Sequence, residues 1–271
     1  QIPSIEKLGI PQACKQLISR PRGMILVTGP AGSGKSTTLA AMIEYLNEHE
    51  SRNVITVEDP IEFLHRSNKS LVTQREVGEH AESIPGALRT SLRYKPHIIL
   101  VGELLDLETV RGAIEAANKG HLIFATSHAS SAEEGVSALV NQFPGSEQKQ
   151  IQVALSQALK AVVVQRLIPR IGGGLVPARE LLLNTIPVAL KIREGSFQQL
   201  SQAMKPTDNM YRFEMDLARL IYEGLVDVED AKQFANDRKD LYANVDMYIR
   251  EHGMDPSIRD KFTDEEKGIG R

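Results

Sequence analysis

The chain has 271 residues, 41% of them apolar, enough for one large domain or one domain with an appendage. Lys and Arg number 32 against 35 Asp and Glu, and the net charge of -3 gives no electrostatic ground for tight nucleic-acid binding. The single cysteine, Cys14, excludes an internal disulfide and a multi-cysteine zinc site and fits a reducing compartment, and no run of about 18 apolar residues is present to span a membrane.

Residues 1–23 read as a lead-in segment broken by Pro3, Gly9, Pro11 and Pro21; the chain starts at Gln1 rather than Met, so a part upstream is expected. Short apolar runs follow at Met24–Thr28, Val54–Val57, Ile98–Val101 and Leu122–Thr126. Each has strand length, and continuous apolarity points to strands buried on both faces of a parallel sheet. Between them lie helical patterns. Leu39, Met42, Ile43 and Leu46 paint one face after Lys35, and Asp106 is placed to cap a helix carrying Val110, Ile114 and Ala117 that ends near Gly120. Alternating strands and helices predict an α/β fold with right-handed crossovers. Beyond about residue 145 the style changes. Apolar spacing from Ile151 to Val162 predicts a long amphipathic helix, Val163–Ile168 and Leu175–Leu183 flank Gly172-Gly173-Gly174 as a hairpin, and Arg212–Phe234 gives two short helices broken at Gly224. Residues 244–271 are polar and poor in pattern, and a flexible tail is expected there.

The segment Gly29-Pro30-Ala31-Gly32-Ser33-Gly34-Lys35-Ser36-Thr37 matches the phosphate-loop pattern. Glycines let successive N–H groups curl inward toward phosphate oxygens. Lys35 brings a positive charge to the β- and γ-phosphates, and Ser36 offers a hydroxyl to Mg²⁺. The following helix turns its positive end to the same anion. The pattern alone is modest as a signal. Its position between a buried strand and an amphipathic helix makes it strong.

Hydrolysis of ATP needs groups that orient water and hold Mg²⁺. Glu58 and Asp59 follow one strand, and Glu103 follows another. In open α/β sheets ligands gather at the carboxyl ends of strands, which places Glu58 and Glu103 at the nucleotide. Surface carboxylates in loops are the plainer alternative. His121 and His128 bracket the fourth strand, and their spacing is not that of zinc ligands. A lone histidine is more often structural, but His128 lies at the end where a γ-phosphate would be sensed.

The blocks RGMILVTGPAGSGKSTTLAAMIEYLN, VITVEDPIEF, VTQREVG, IILVGELLDLETV and GHLIFATSHASSA occur in that order and together resemble the PilT/PilU type IV pilus retraction ATPases of the secretion ATPase superfamily. The resemblance covers roughly residues 1–235. It implies a RecA-like core over residues 24–205, a helical subdomain at 206–243 and an N-terminal PAS-like domain outside this chain. It implies an ATP- and Mg²⁺-dependent motor subunit that powers pilus retraction and twitching motility. The assembly would be a hexamer, of one kind or mixed with a paralogue, in the cytoplasm on an inner-membrane platform protein. Gly29–Thr37 would be the Walker A loop, Glu58, Asp59 and Glu62 the acidic box, and Glu103 the catalytic or Mg²⁺-water glutamate. Glu58 would help position water, and His128 would link the γ-phosphate to movement between subunits.

Some positions depart from the family pattern. His97 stands where an acidic residue precedes the Walker B strand, Leu105 where an arginine follows Glu103, and Ser127 where a leucine precedes the second histidine. An AIRNLIRE-like motif reads IPVALKIRE over Ile186–Glu194, with Ala189 at its first arginine. These substitutions, chiefly Leu105 and Ala189, raise an alternative: an accessory, PilU-like subunit that binds nucleotide beside a stronger motor. Assembly and type II motors usually carry a four-cysteine zinc module, which Cys14 alone cannot form, while type IV secretion relatives remain compatible.

Overall fold

The structure, a computed structural model, describes residues 2–268. Its first half alternates strand and helix: α1 (Gln12–Ile18), β1 (Gly23–Thr28), α2 (Lys35–His49), β2 (Asn53–Glu58), β3 (Leu71–Glu76), α3 (Ile84–Ser91), β4 (Ile98–Val101), α4 (Leu107–Asn118), β5 (Leu122–Ser127) and α5 (Ala132–Asn141). There follow α6 (Gly145–Ala158), the hairpin β6 (Leu159–Pro169) and β7 (Leu175–Leu183), and then α7 (Ile186–Glu194), α8 (Leu200–Ala203), α9 (Phe213–Tyr222), α10 (Val228–Phe234) and α11 (Arg238–His252). Side chains of Ser83, Asp106, Ser131, Asp227 and Asp237 accept backbone N–H bonds at the starts of α3, α4, α5, α10 and α11, so those helices begin where the sequence supplies a cap.

One seven-stranded sheet has the order β3-β2-β4-β5-β1-β6-β7. Every neighbouring pair is parallel except β6–β7. Side chains alternate between its faces. Met24 and Leu26 of β1, with Ile99, Val101, Ile123 and Ala125, pack under α4, α5 and α6, while Ile25 and Val27, with Leu100 and Phe124, pack under α1 and α2. The expected α/β fold is therefore present, with all four apolar runs and the hairpin as strands.

The sequence reading differs from the structure in four places. The amphipathic pattern through Val162 is not all helix: α6 stops at Ala158 and β6 starts at Leu159. The β-branched run Val162–Val164 is stiff and suits a pleated surface, and its side chains divide between the two faces. The strand β3 gave no apolar signal because it is the sheet edge; Leu71 is exposed and much of the strand meets solvent. The lead-in segment, read only as broken by Pro and Gly, is packed into the core. Ile5, Ile10, Cys14, Leu17 and Ile18 are buried in the core beside α2, and burial pushes the Cys14 thiol up to about 12. Most plainly, the expected tail is folded over its described residues, 244–268. The helix α11 runs through Asn244, and Leu241, Val245, Ile249, Met254 and Phe262 join Phe213, Leu217 and Leu220 in a third core. Leu241, Val245 and Ile249 recur every four residues, so one apolar stripe in a very polar helix suffices to seat it. Gln1 and residues 269–271, the ends of the lead-in segment and of the expected tail, lie outside the described residues.

Candidate functional site

β1 ends at Thr28, where the chain turns through the phosphate loop into α2. Gly29, Gly32 and Gly34 take φ of 147°, 74° and 84°, which side chains with a Cβ rarely adopt. Nζ of Lys35 donates to the carbonyl oxygens of Gly29 at 2.8 Å and Pro30 at 3.0 Å, so the cation is held over its own loop. Partial burial draws the Lys35 pKa down, and the negative charges of Glu103 and Glu62 oppose that.

The loop floors a cleft of about 290 Å³. Ala31, Gly32, Lys35 and Ser36 line it together with Glu58, Asp59, Glu62, Glu103, Leu105 and His128. Gly29, Pro30, Ser33, Gly34 and Thr37 shape the loop without lining the cleft. The carboxyl ends of β2, β4 and β5 thus deliver the two candidate glutamates and His128 to the space over Lys35 and Ser36. His121 sits at the other end of β5, where Nδ1 is 2.8 Å from the carbonyl oxygen of Pro96, a structural role. His97, at the departure before β4, accepts from the backbone N–H of Asn53 through Nδ1 at 2.8 Å, also away from the cleft.

Each acidic side chain has a local reason for its place. The Glu58 carboxylate accepts from Thr56 Oγ1 at 2.6 Å and from Gln74 Nε2 at 3.2 Å. Gln74 lies on β3, so the edge strand that sequence patterning missed steers this glutamate. Glu62 accepts from the Ser36 hydroxyl at 2.5 Å. Glu103 is set by its neighbours: Gly102 N–H donates to Val57, Leu104 N–H donates to Thr126, and the Thr126 hydroxyl donates to the Gly102 carbonyl. Oε1 of Glu103 is 2.5 Å from Nε2 of His128 and otherwise is buried without a hydrogen-bond partner. The loop bearing His128 is tied down by Thr28, whose Oγ1 accepts from Ala129 N–H at 2.7 Å and from Ser127 Oγ at 3.0 Å. Sequence reading missed Thr28, Gln74 and His65. His65 lines the cleft with Nδ1 2.9 Å from a Glu44 oxygen, and neither partner falls in a motif.

These groups fit a nucleoside polyphosphate with a divalent ion. Lys35, folded on carbonyls, has donors to exchange for phosphate oxygens, and buried Ser33 Oγ is without a partner. Among the described residues no three His, Cys, Asp or Glu groups could hold a metal by themselves, so an ion here would share the Ser36 hydroxyl and phosphate oxygens. Among the described residues no helix is long and apolar enough to cross a membrane.

The chain is similar in sequence and fold to known proteins. The chain is 44% identical over 234 residues to the type IV pilus retraction ATPase PilT of Pseudomonas aeruginosa, covering 86% of this chain and 68% of that protein. It is 41% identical over 241 residues to a twitching motility protein of Neisseria gonorrhoeae, covering 88% of this chain and 64% of that one. The chain thus spans about two thirds of these relatives. The crystal structure of the pilus retraction motor PilT with bound ADP superposes with a TM-score of 0.85 at 44% identity, over 90% of this chain and 70% of that one. The type II/IV secretion system protein family matches residues 4–256, and the chain belongs to that family.

Proposed function

We propose that this chain is the ATP-hydrolysing core of a motor subunit that powers type IV pilus retraction. The observation that carries the reading is the convergence of Glu58, Glu103 and His128 on the cleft floored by Lys35 and Ser36. The ADP bound in the related PilT structure supports nucleotide as the ligand.

In this reading Lys35 leaves the Gly29 and Pro30 carbonyls to neutralise the β- and γ-phosphates. The Ser36 hydroxyl, which donates to Glu62 here, and a water on Glu103 would hold Mg²⁺. Bound Mg²⁺ supplies charge neutralisation of the phosphates. Glu103, whose Oε1 touches His128, orients the attacking water and accepts its proton, and Glu58, fixed by Thr56 and Gln74, aligns that water. His128, in contact with Glu103, reports the state of the γ-phosphate to the loop that follows β5. The working assembly is a hexamer, of one kind or mixed with a paralogue, held at the cytoplasmic face of the inner membrane by a pilus platform protein. The helix α7 supports a partner contact there, since Ile186 and Leu190 are exposed while Val188 and Ile192 are buried.

Exposed Leu105 at the cleft, where the family pattern has arginine, is the observation that favours the accessory alternative. Turnover measured with and without a paralogue separates the two readings. For the catalytic assignment, Glu103→Gln in the assembled protein is expected to bind ATP within a few-fold of the parent and to lose about 100-fold or more of its turnover, the scale of general-base catalysis. Turnover at the parent's rate would remove Glu103 from the mechanism.

A further inference from the structure

A second polar network lies behind the phosphate loop, on residues that do not line the cleft. Gln165 of β6 is 2% exposed, and both ends of its amide are bonded. Nε2 donates to the carbonyl oxygen of Ser33 at 2.6 Å, and Oε1 accepts from Thr38 Oγ1 at 3.0 Å and from Arg179 Nε at 2.8 Å. Contact with the loop is close on either side. A Cβ on Gly29 would lie 2.1 Å from the Gln165 carbonyl oxygen, and one on Gly34 would lie 2.9 Å from Nε2.

Arg179 of β7 is 4% exposed. Its guanidinium leans on the lead-in segment: Nη1 donates to the Gly9 carbonyl at 3.0 Å and Nη2 to the Leu8 carbonyl at 2.7 Å. Gly9 has φ of 58°, a left-handed turn that brings two successive carbonyls to one cation. The Arg179 backbone N–H is itself fixed by Asp216 of α9 at 2.7 Å. A buried guanidinium satisfied by carbonyls and one amide depends on where those oxygens sit, because an unmet charged donor is costly.

We propose that Gln165 and Arg179 are positioning residues that couple the phosphate loop to the lead-in segment, so that seating a nucleotide and seating Leu8–Gly9 favour one another. The inference rests on the nucleotide reading of the cleft. An anion on the loop fixes Ser33 and Thr38, these fix the Gln165 amide, and the amide fixes the third donor of Arg179. By linkage the effect runs both ways: displacing Leu8 and Gly9 loosens the loop and weakens nucleotide binding. Glutamine suits the role because it donates to one carbonyl while accepting two bonds; a carboxylate would oppose Ser33 with another acceptor.

The test measures ADP affinity by titration and hydrogen exchange of the Ile5–Ile10 amides with and without saturating ADP, on the full chain, Gln165→Met and Arg179→Lys. In the parent, ADP is expected to slow exchange at Ile5–Ile10. Gln165→Met is expected to bind ADP about tenfold more weakly, the scale of one lost hydrogen bond in a charged network, and to show no ADP-dependent slowing even at saturation. In Arg179→Lys the single ammonium cannot span both carbonyls and the amide, so the slowing is lost with a smaller change in affinity. A merely structural brace would lower the melting temperature without uncoupling the two sites. ADP-dependent slowing that persists in the folded variants, or a parent that binds ADP without slowing, overturns the proposal. If Gln165→Met does not fold, Arg179→Lys decides by the same readout. A parent that binds no ADP instead overturns the nucleotide reading itself.

Discussion

Glu103 is partly exposed and Glu180 is buried, and the surroundings of these two carboxylates give them opposite tasks. Glu103 faces the cleft beside Lys35 with one oxygen unbonded except for its contact with His128, a place where a water can be gripped. Glu180 on β7 faces away from the cleft, where Oε1 accepts from Ala132 N–H at 2.7 Å at the start of α5. Burial raises its carboxyl from the ordinary 4.5 to about 7, with Glu214 and Glu133 pushing the same way. The folded chain therefore holds this proton more tightly than the unfolded chain. The stabilisation is complete below pH 4.5 and is lost as the pH rises through about 7. Urea unfolding across that range is expected to lose up to about 3 kcal/mol from this group, and Glu180→Gln should flatten the slope. The same slope in both proteins would contradict the assignment. At this scale the sequence was uneven. Lys35, Ser36, Glu58, Glu103 and His128 were legible because they sit in motifs or at strand ends. Thr28, Gln74 and Gln165 were not, because each acts through a partner at least sixteen residues away in the chain and patterning sees only neighbours.

At the scale of elements, the buried strands were legible because both faces are covered and their residues are apolar without a break. The exposed edge β3 and the sparse stripe of α11 were hidden for the opposite reason: most of their surface meets water. The correction of residues 244–268 from tail to folded element can be tested by stability. Ile249, inside that range, is buried in the third core. Ile249→Ala is expected to destabilise the chain by about 2–5 kcal/mol, read from chemical unfolding. A flexible tail would show no change, and limited proteolysis would then remove residues beyond Asn244 without loss of the core.

At the scale of the whole molecule, strand order explains why residues from 29 to 128 share one cleft. Parallel strands β2, β4, β5 and β1 all point their carboxyl ends the same way, so the loops after each of them meet over the phosphate loop. The α/β class followed from the alternating pattern, whereas the order of strands did not, since nothing local to β1 says that β5 and β6 flank it. The lead-in segment and α9 reach the same loop from behind through Arg179 and Gln165. One floor, Gly29 to Thr37, thus bears both the chemistry in front and the brace behind, and Lys35 is the charge on which the floor's function rests. The most direct measurement is a calorimetric titration of the chain and of Lys35→Ala with ATP and Mg²⁺. The parent is expected to bind one nucleotide per chain, and Lys35→Ala to bind at least about 100-fold more weakly, the loss of a charge-assisted phosphate contact. Equal binding by the two proteins, or no binding by the parent, would contradict the account.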